Sequence, residues 1–106
     1  MGDGVMAAFD VPGDALQAAR LLVEDADGMG CPVRIGLHTG EVQRSGDDYH
    51  GTAVNIASRV VDHAGAGEVL TTVVTQGIVE GGDYAFTEAG DYELKGLGTR
   101  TLVRLC

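Results

Sequence analysis

Apolar positions along the chain alternate between two periodicities, and these set the expected elements. Val5 to Phe9 is a short apolar run after two glycines and reads as a strand, broken by Pro12 and Gly13. From Asp14 to Ala26 the apolar residues Leu16, Ala19, Leu22, Val23 and Ala26 recur at helical spacing. Asp10, or Gly13 with Asp14, is the expected cap, and Asp27-Gly28-Met29-Gly30 the expected stop. Val33 to Leu37 reads as a strand, and Glu41-Val42-Gln43 as a second extended piece after a bend at Gly40. Arg44 to Asp48 reads as a polar loop.

A second helix is expected from Thr52 to Ala64, with the stripe Ala53, Val54, Ala57, Val60, Val61 and Ala64 facing inward. Gly65-Ala66-Gly67 stands where glycine ends helices. Val69 to Val74 is a β-branched run that reads as a strand, and Thr75 to Gly82 as a short helix or a loop. Tyr84 to Thr87, Tyr92 to Lys95 and Thr99 to Leu105 read as strands, the last two joined by the hairpin signal Gly96-Leu97-Gly98. The order indicates an α+β domain, with two helices on one face of a mainly antiparallel, ferredoxin-like sheet.

Composition narrows the function classes. The 106 residues suit one domain with a mainly aliphatic core, since aromatics are 5% and Trp is absent. The net charge of −9 disfavours a nucleic-acid surface, which needs clustered Lys and Arg, and disfavours anionic membranes. No apolar run reaches the length of a membrane span, and Met1-Gly2-Asp3-Gly4 lacks the basic start of a signal peptide. Cys31 and Cys106 do not make a disulfide framework; a cytoplasmic setting with reduced thiols is expected, with Cys106 frayed at the end.

Few residues suggest chemistry. In Gly51-Thr52-Ala53-Val54-Asn55-Ile56-Ala57-Ser58-Arg59, a helix puts Asn55 and Arg59 one turn apart, away from the apolar stripe. An amide and a guanidinium aimed at one point can hold a phosphate, although most such pairs are solvated surface. Asp3, between two glycines, could approach a metal closely; an incidental terminal carboxylate is the plainer reading. Lys95, the single lysine, precedes a glycine-rich hairpin and could reach a polyphosphate, or could simply protect an edge strand. Asp48 lies seven residues before Asn55 and could accept from the amine of a base, though adjacent loop acids are usually just solvated. His38, His50 and His63 show no metal-ligand spacing and read as structural. Gly81-Gly82-Asp83 reads as a turn.

Four ordered segments together resemble the class III adenylyl and guanylyl cyclase catalytic domain. They are Gly2 to Phe9, Ile35 to Val42, Gly51 to Arg59 and Leu94 to Leu97, and the likeness covers nearly the whole chain. The resemblance implies a composite site between two subunits that converts ATP to cyclic AMP and pyrophosphate, using two Mg²⁺ or Mn²⁺ ions. It implies a metal-binding role for Asp3, adenine reading for Asp48, ribose orientation for Asn55, transition-state charge stabilisation for Arg59, and terminal-phosphate contact for Lys95. The family's first strand with its other metal aspartate, its first two helices and its base-selecting lysine precede the segment that Gly2-Asp3-Gly4 matches. The 106 residues contain none of these. The expectations are therefore a smaller, rearranged sheet, a homodimer or swapped oligomer or pairing with a complete cyclase subunit, and no appreciable cyclic AMP from this chain alone. The alternative is a non-catalytic module that dimerises with a true cyclase.

Overall fold

A computed structural model describes residues 9, 11–40, 43–45 and 48–106, with side chains considered outside 43–45 and 48–50. Its elements are α1 (Pro12–Gly28), β1 (Ile35–Leu37), β2 (Gln43–Ser45), β3 (Asp48–His50), α2 (Thr52–Val61), β4 (Val69–Thr72), α3 (Val73–Ile78), β5 (Phe86–Leu94) and β6 (Gly98–Leu105). Four strands form a sheet in the order β1-β4-β6-β5, with β1 parallel to β4 and the other two pairings antiparallel. The α+β class and the mainly antiparallel sheet are as expected. The strand expected over Val5 to Phe9 lies outside the described residues except for Phe9, which is exposed.

The helices occupy both faces of this sheet, not one. In β4 every residue is buried, and its side chains alternate between two cores. Val69 packs with Leu16 and Ala19 of α1 and with Leu105, while Leu70 packs with Ile56 and Val60 of α2 and with Leu94 and Leu102. β1 repeats the alternation: Ile35 and Leu37 join the α1 core, and Gly36 meets Val61 of α2. A sheet covered on both sides reads as continuous apolar runs, so the side each helix takes is decided by packing.

Several boundaries move for local reasons. Pro12 opens α1 instead of preceding it, because its fixed φ suits the first helical position. Val11 precedes the helix without a side-chain cap, in place of Asp10 or Gly13. Leu22 is exposed, so the α1 stripe is Leu16, Ala19, Val23 and Ala26. Helix α2 ends at Val61, short of the expected Ala64, and its stripe centres on Ala53, Ile56 and Val60, rotated from the expected one, with Val54, Ala57 and Val61 on its flanks. The stretch from Arg44 to Asp48 is no simple loop: Gln43–Ser45 pairs antiparallel with Asp48–His50.

Val73 and Val74 begin α3 instead of extending β4, and Thr75 to Ile78 continues that helix. The two strands expected within 84–95 are one strand, β5, whose pairing slips between Glu88 and Gly90. Gly81 has φ 92°, consistent with the expected turn. Cys106 is not frayed: its N–H donates to Ala85 O at 2.9 Å and its Sγ lies 3.0 Å from Thr87 Oγ1. Both cysteines are free and exposed.

Candidate anion-binding cleft

Two elements far apart in sequence build the candidate site. Burial of Ile56 and Val60 fixes the rotation of α2 about its axis, which leaves Asn55, Ser58 and Arg59 exposed on one flank. Gly36 lets the C-terminal end of α2 sit directly on β1. Opposite that flank, the β5–β6 hairpin is anchored by the fully buried Leu94 and closed by the Leu97 N–H donating to Leu94 O at 2.7 Å. Gly96 and Gly98 have φ of 77° and 82°, a backbone conformation that favours glycine, and this tight turn carries Lys95 and Leu97 to α2.

The result is an open cleft of about 300 Å³ lined by Asn55, Ser58, Arg59, Lys95, Gly96 and Leu97. Among the described residues its side chains offer an amide, a hydroxyl, a guanidinium and an ammonium, and no carboxylate. Two cationic groups beside an amide and a hydroxyl suit an anion, and they stand out in a chain of net charge −9. Arg59 also lies 3.7 Å from Asp62, one turn along α2 and just outside the cleft. A larger groove of about 440 Å³, walled by Val73, Val79, Tyr84 and Phe86, contains the acid Glu80 and, of the residues singled out from sequence, only the turn glycine Gly81. Chemistry, not size, makes the smaller cleft the candidate.

Asn55, Arg59 and Lys95 are thus brought together. Asp48 is placed by its backbone in β3, paired with Ser45, on the strand that leads through Gly51 into α2. Asp3 lies outside the described residues. Sequence reasoning missed Ser58 and Leu97 as lining residues; the signal for Ser58 was its place three residues after Asn55, on the same helix flank. Among the described residues there is no group of three or more His, Cys, Asp or Glu able to hold a metal ion.

His38 lies away from the cleft and works within the fold. Its Nδ1 is 2.7 Å from Thr72 Oγ1, where β4 passes into α3. Burial, and then the positive Arg100, hold its pKa below the usual 6.5. Two further hydroxyl contacts tie the same end of the sheet: Thr39 and Thr75 share a hydrogen bond of 2.8 Å, and Thr71 Oγ1 donates to Leu37 O at 3.0 Å. His63 packs on Tyr92 with ring centroids 4.6 Å apart.

The family model of the adenylate and guanylate cyclase catalytic domain matches residues 2–105. The uncharacterized protein Rv0891c of Mycobacterium tuberculosis is 35% identical over 99 residues, which is 91% of this chain and 34% of that protein. The chain thus spans about a third of the length of the curated relatives it matches. Among solved structures, the catalytic core of a rhodopsin-guanylyl cyclase with converted specificity, in complex with ATPαS, matches with TM-score 0.80 and 24% identity, over 93% of this chain and 60% of that one. An adenylate/guanylate cyclase/hydrolase from Silicibacter pomeroyi matches with TM-score 0.75 and 20% identity, over 92% and 63%. These likenesses carry the fold, and the family match over nearly every residue carries the assignment: the chain belongs to the adenylate and guanylate cyclase catalytic-domain family.

Proposed function

We propose that the cleft is the phosphate-binding half of a composite adenylate cyclase site. The observation that carries this reading is the convergence of Asn55 and Arg59 from α2 with Lys95 from the β5–β6 hairpin on one cleft. Arg59 would take charge developing on the reacting phosphate, Lys95 the terminal phosphates, and Asn55 the ribose. Asp48 would read the exocyclic amine of adenine, which makes ATP the expected substrate.

Asp3 is the residue of this chain that would hold Mg²⁺ or Mn²⁺, whose chemistry there is to neutralise the triphosphate and activate the ribose hydroxyl. A site built only from copies of these 106 residues has one of the family's two metal aspartates, so cyclic AMP formation by this chain alone is expected to be negligible. The expected partner is a second copy or a complete cyclase subunit. Complementation tests the reading. This chain is mixed with a cyclase domain that keeps both metal aspartates but has lost its own asparagine and arginine. Restored, Arg59-dependent cyclic AMP synthesis supports a working half-site. No restoration, with no ATP-dependent thermal shift in Mn²⁺, rejects it in favour of a non-catalytic interaction module.

A further inference from the structure

We propose that Asp62 is a positioning residue of the cleft, acting through Arg59: it parks the guanidinium until an anionic ligand displaces it. This rests on reading the cleft as an anion site.

Arg59 has two environments within reach. It lines the cleft beside Asn55, Ser58 and Lys95, and it sits 3.7 Å from the carboxylate of Asp62. Asp62 itself is outside the lining, at the C-terminal cap of α2. A carboxylate there faces the negative end of the helix dipole, an unfavourable place for an anion. Its compensating contact is with Arg59, three residues back on the same face.

The strength of the pair suits a reversible hold. Both side chains are about half exposed, at 46% and 58%, and the separation is at the long end for an ion pair. Exposed pairs of this kind are weak, whereas a polyphosphate offers several oxygens to the planar guanidinium and draws on Lys95 as well. Ligand therefore wins the competition, but must first overcome Asp62. The pair also offsets part of the positive charge of the cleft, so weakly charged anions are disfavoured relative to polyphosphates.

The test measures inorganic tripolyphosphate binding to the full chain by calorimetry, at low and at physiological ionic strength. Asp62→Asn is expected to tighten binding by about two- to five-fold at low salt, with the gain shrinking as salt rises. In an Arg59→Ala background the same substitution is expected to give a clearly smaller gain, only the general charge effect, which separates a hold on Arg59 from that effect. Equal tightening in both backgrounds, or unchanged or weaker binding by Asp62→Asn, overturns the role of Asp62 while leaving the anion site standing. No tripolyphosphate binding by the unsubstituted chain overturns both.

Discussion

Gly36 lies against the backbone of Val61 so closely that a Cβ at residue 36 would come within 2.5 Å of the Val61 nitrogen and 2.8 Å of its Cα. Backbone cannot yield as a flexible side chain can. Gly36→Ala is therefore expected to push α2 off β1 and destabilise the domain by about 1–3 kcal/mol, the usual cost of overpacking. Urea denaturation checks it. A midpoint equal to that of the parent would mean that α2 does not sit on β1 as described. Because α2 carries Asn55 and Arg59, the same change is expected to weaken anion binding under conditions where the protein remains folded.

His38 is expected to give the stability a pH dependence of definite sign. Burial, then Arg100, depress its pKa in the folded state below the 6.5 of the unfolded chain. The unfolded state then binds more protons through that interval, so stability rises with pH. The contribution is complete above about pH 6.5 and is lost as pH falls from there through the depressed folded value. His38→Asn, which can still bond Thr72 but does not titrate, is expected to flatten this part of the profile. Denaturation midpoints of the two proteins across pH 5 to 8 decide it; parallel profiles would remove His38 as the cause.

Much of the fold was legible where local signals agreed with tertiary demand. Helix α1, helix α2 and the Gly96–Gly98 hairpin are of this kind, since periodicity, glycine placement and packing point the same way. Where they competed, packing won. Val73 and Val74 are β-branched and look like strand, yet they open α3, in which Thr75 is buried and shares a hydrogen bond with Thr39. The stripe expected from sequence omits Ile56 and takes in Val54, Ala57 and Val61, whereas packing with Leu70, Leu94 and Leu102 buries Ile56 and leaves those three on the flanks. The site was legible as residue types. That Lys95 reaches Asn55 and Arg59 was not, because no local pattern encodes a contact between a hairpin and a helix some 40 residues apart.

The Thr39–Thr75 bond is expected to matter more through its loss than through its formation. Thr75 is almost fully buried, and the Thr39 hydroxyl is its side-chain partner among the described residues. Thr39→Val should leave that hydroxyl unsatisfied, at about 1–3 kcal/mol. Adding Thr75→Val removes the orphaned group, so the double variant is expected to be more stable than Thr39→Val alone. A double-mutant cycle by chemical denaturation measures the coupling; simple additivity would show that the two hydroxyls do not depend on each other.

Within the cleft, Arg59 and Lys95 should contribute differently. Arg59 has a planar fork able to bind two phosphate oxygens at once, whereas Lys95 supplies a point charge from a flexible stem. Removing either group deletes charge-assisted hydrogen bonds worth about 1.5–3 kcal/mol, with the lower figure apt for an open, solvated cleft. Arg59→Ala and Lys95→Gln are each expected to weaken tripolyphosphate binding by about tenfold or more. Arg59→Lys keeps the charge but not the fork, so it should fall between Arg59→Ala and the parent. For Lys95, by contrast, Lys95→Arg should retain most of the affinity, since only a positive charge is asked of that position. Ser58→Ala removes a single neutral donor and should cost less than any of these. Calorimetric titration of the set at low ionic strength gives the ranking. If Arg59→Ala and Ser58→Ala bound alike, the guanidinium would have no special place in the cleft.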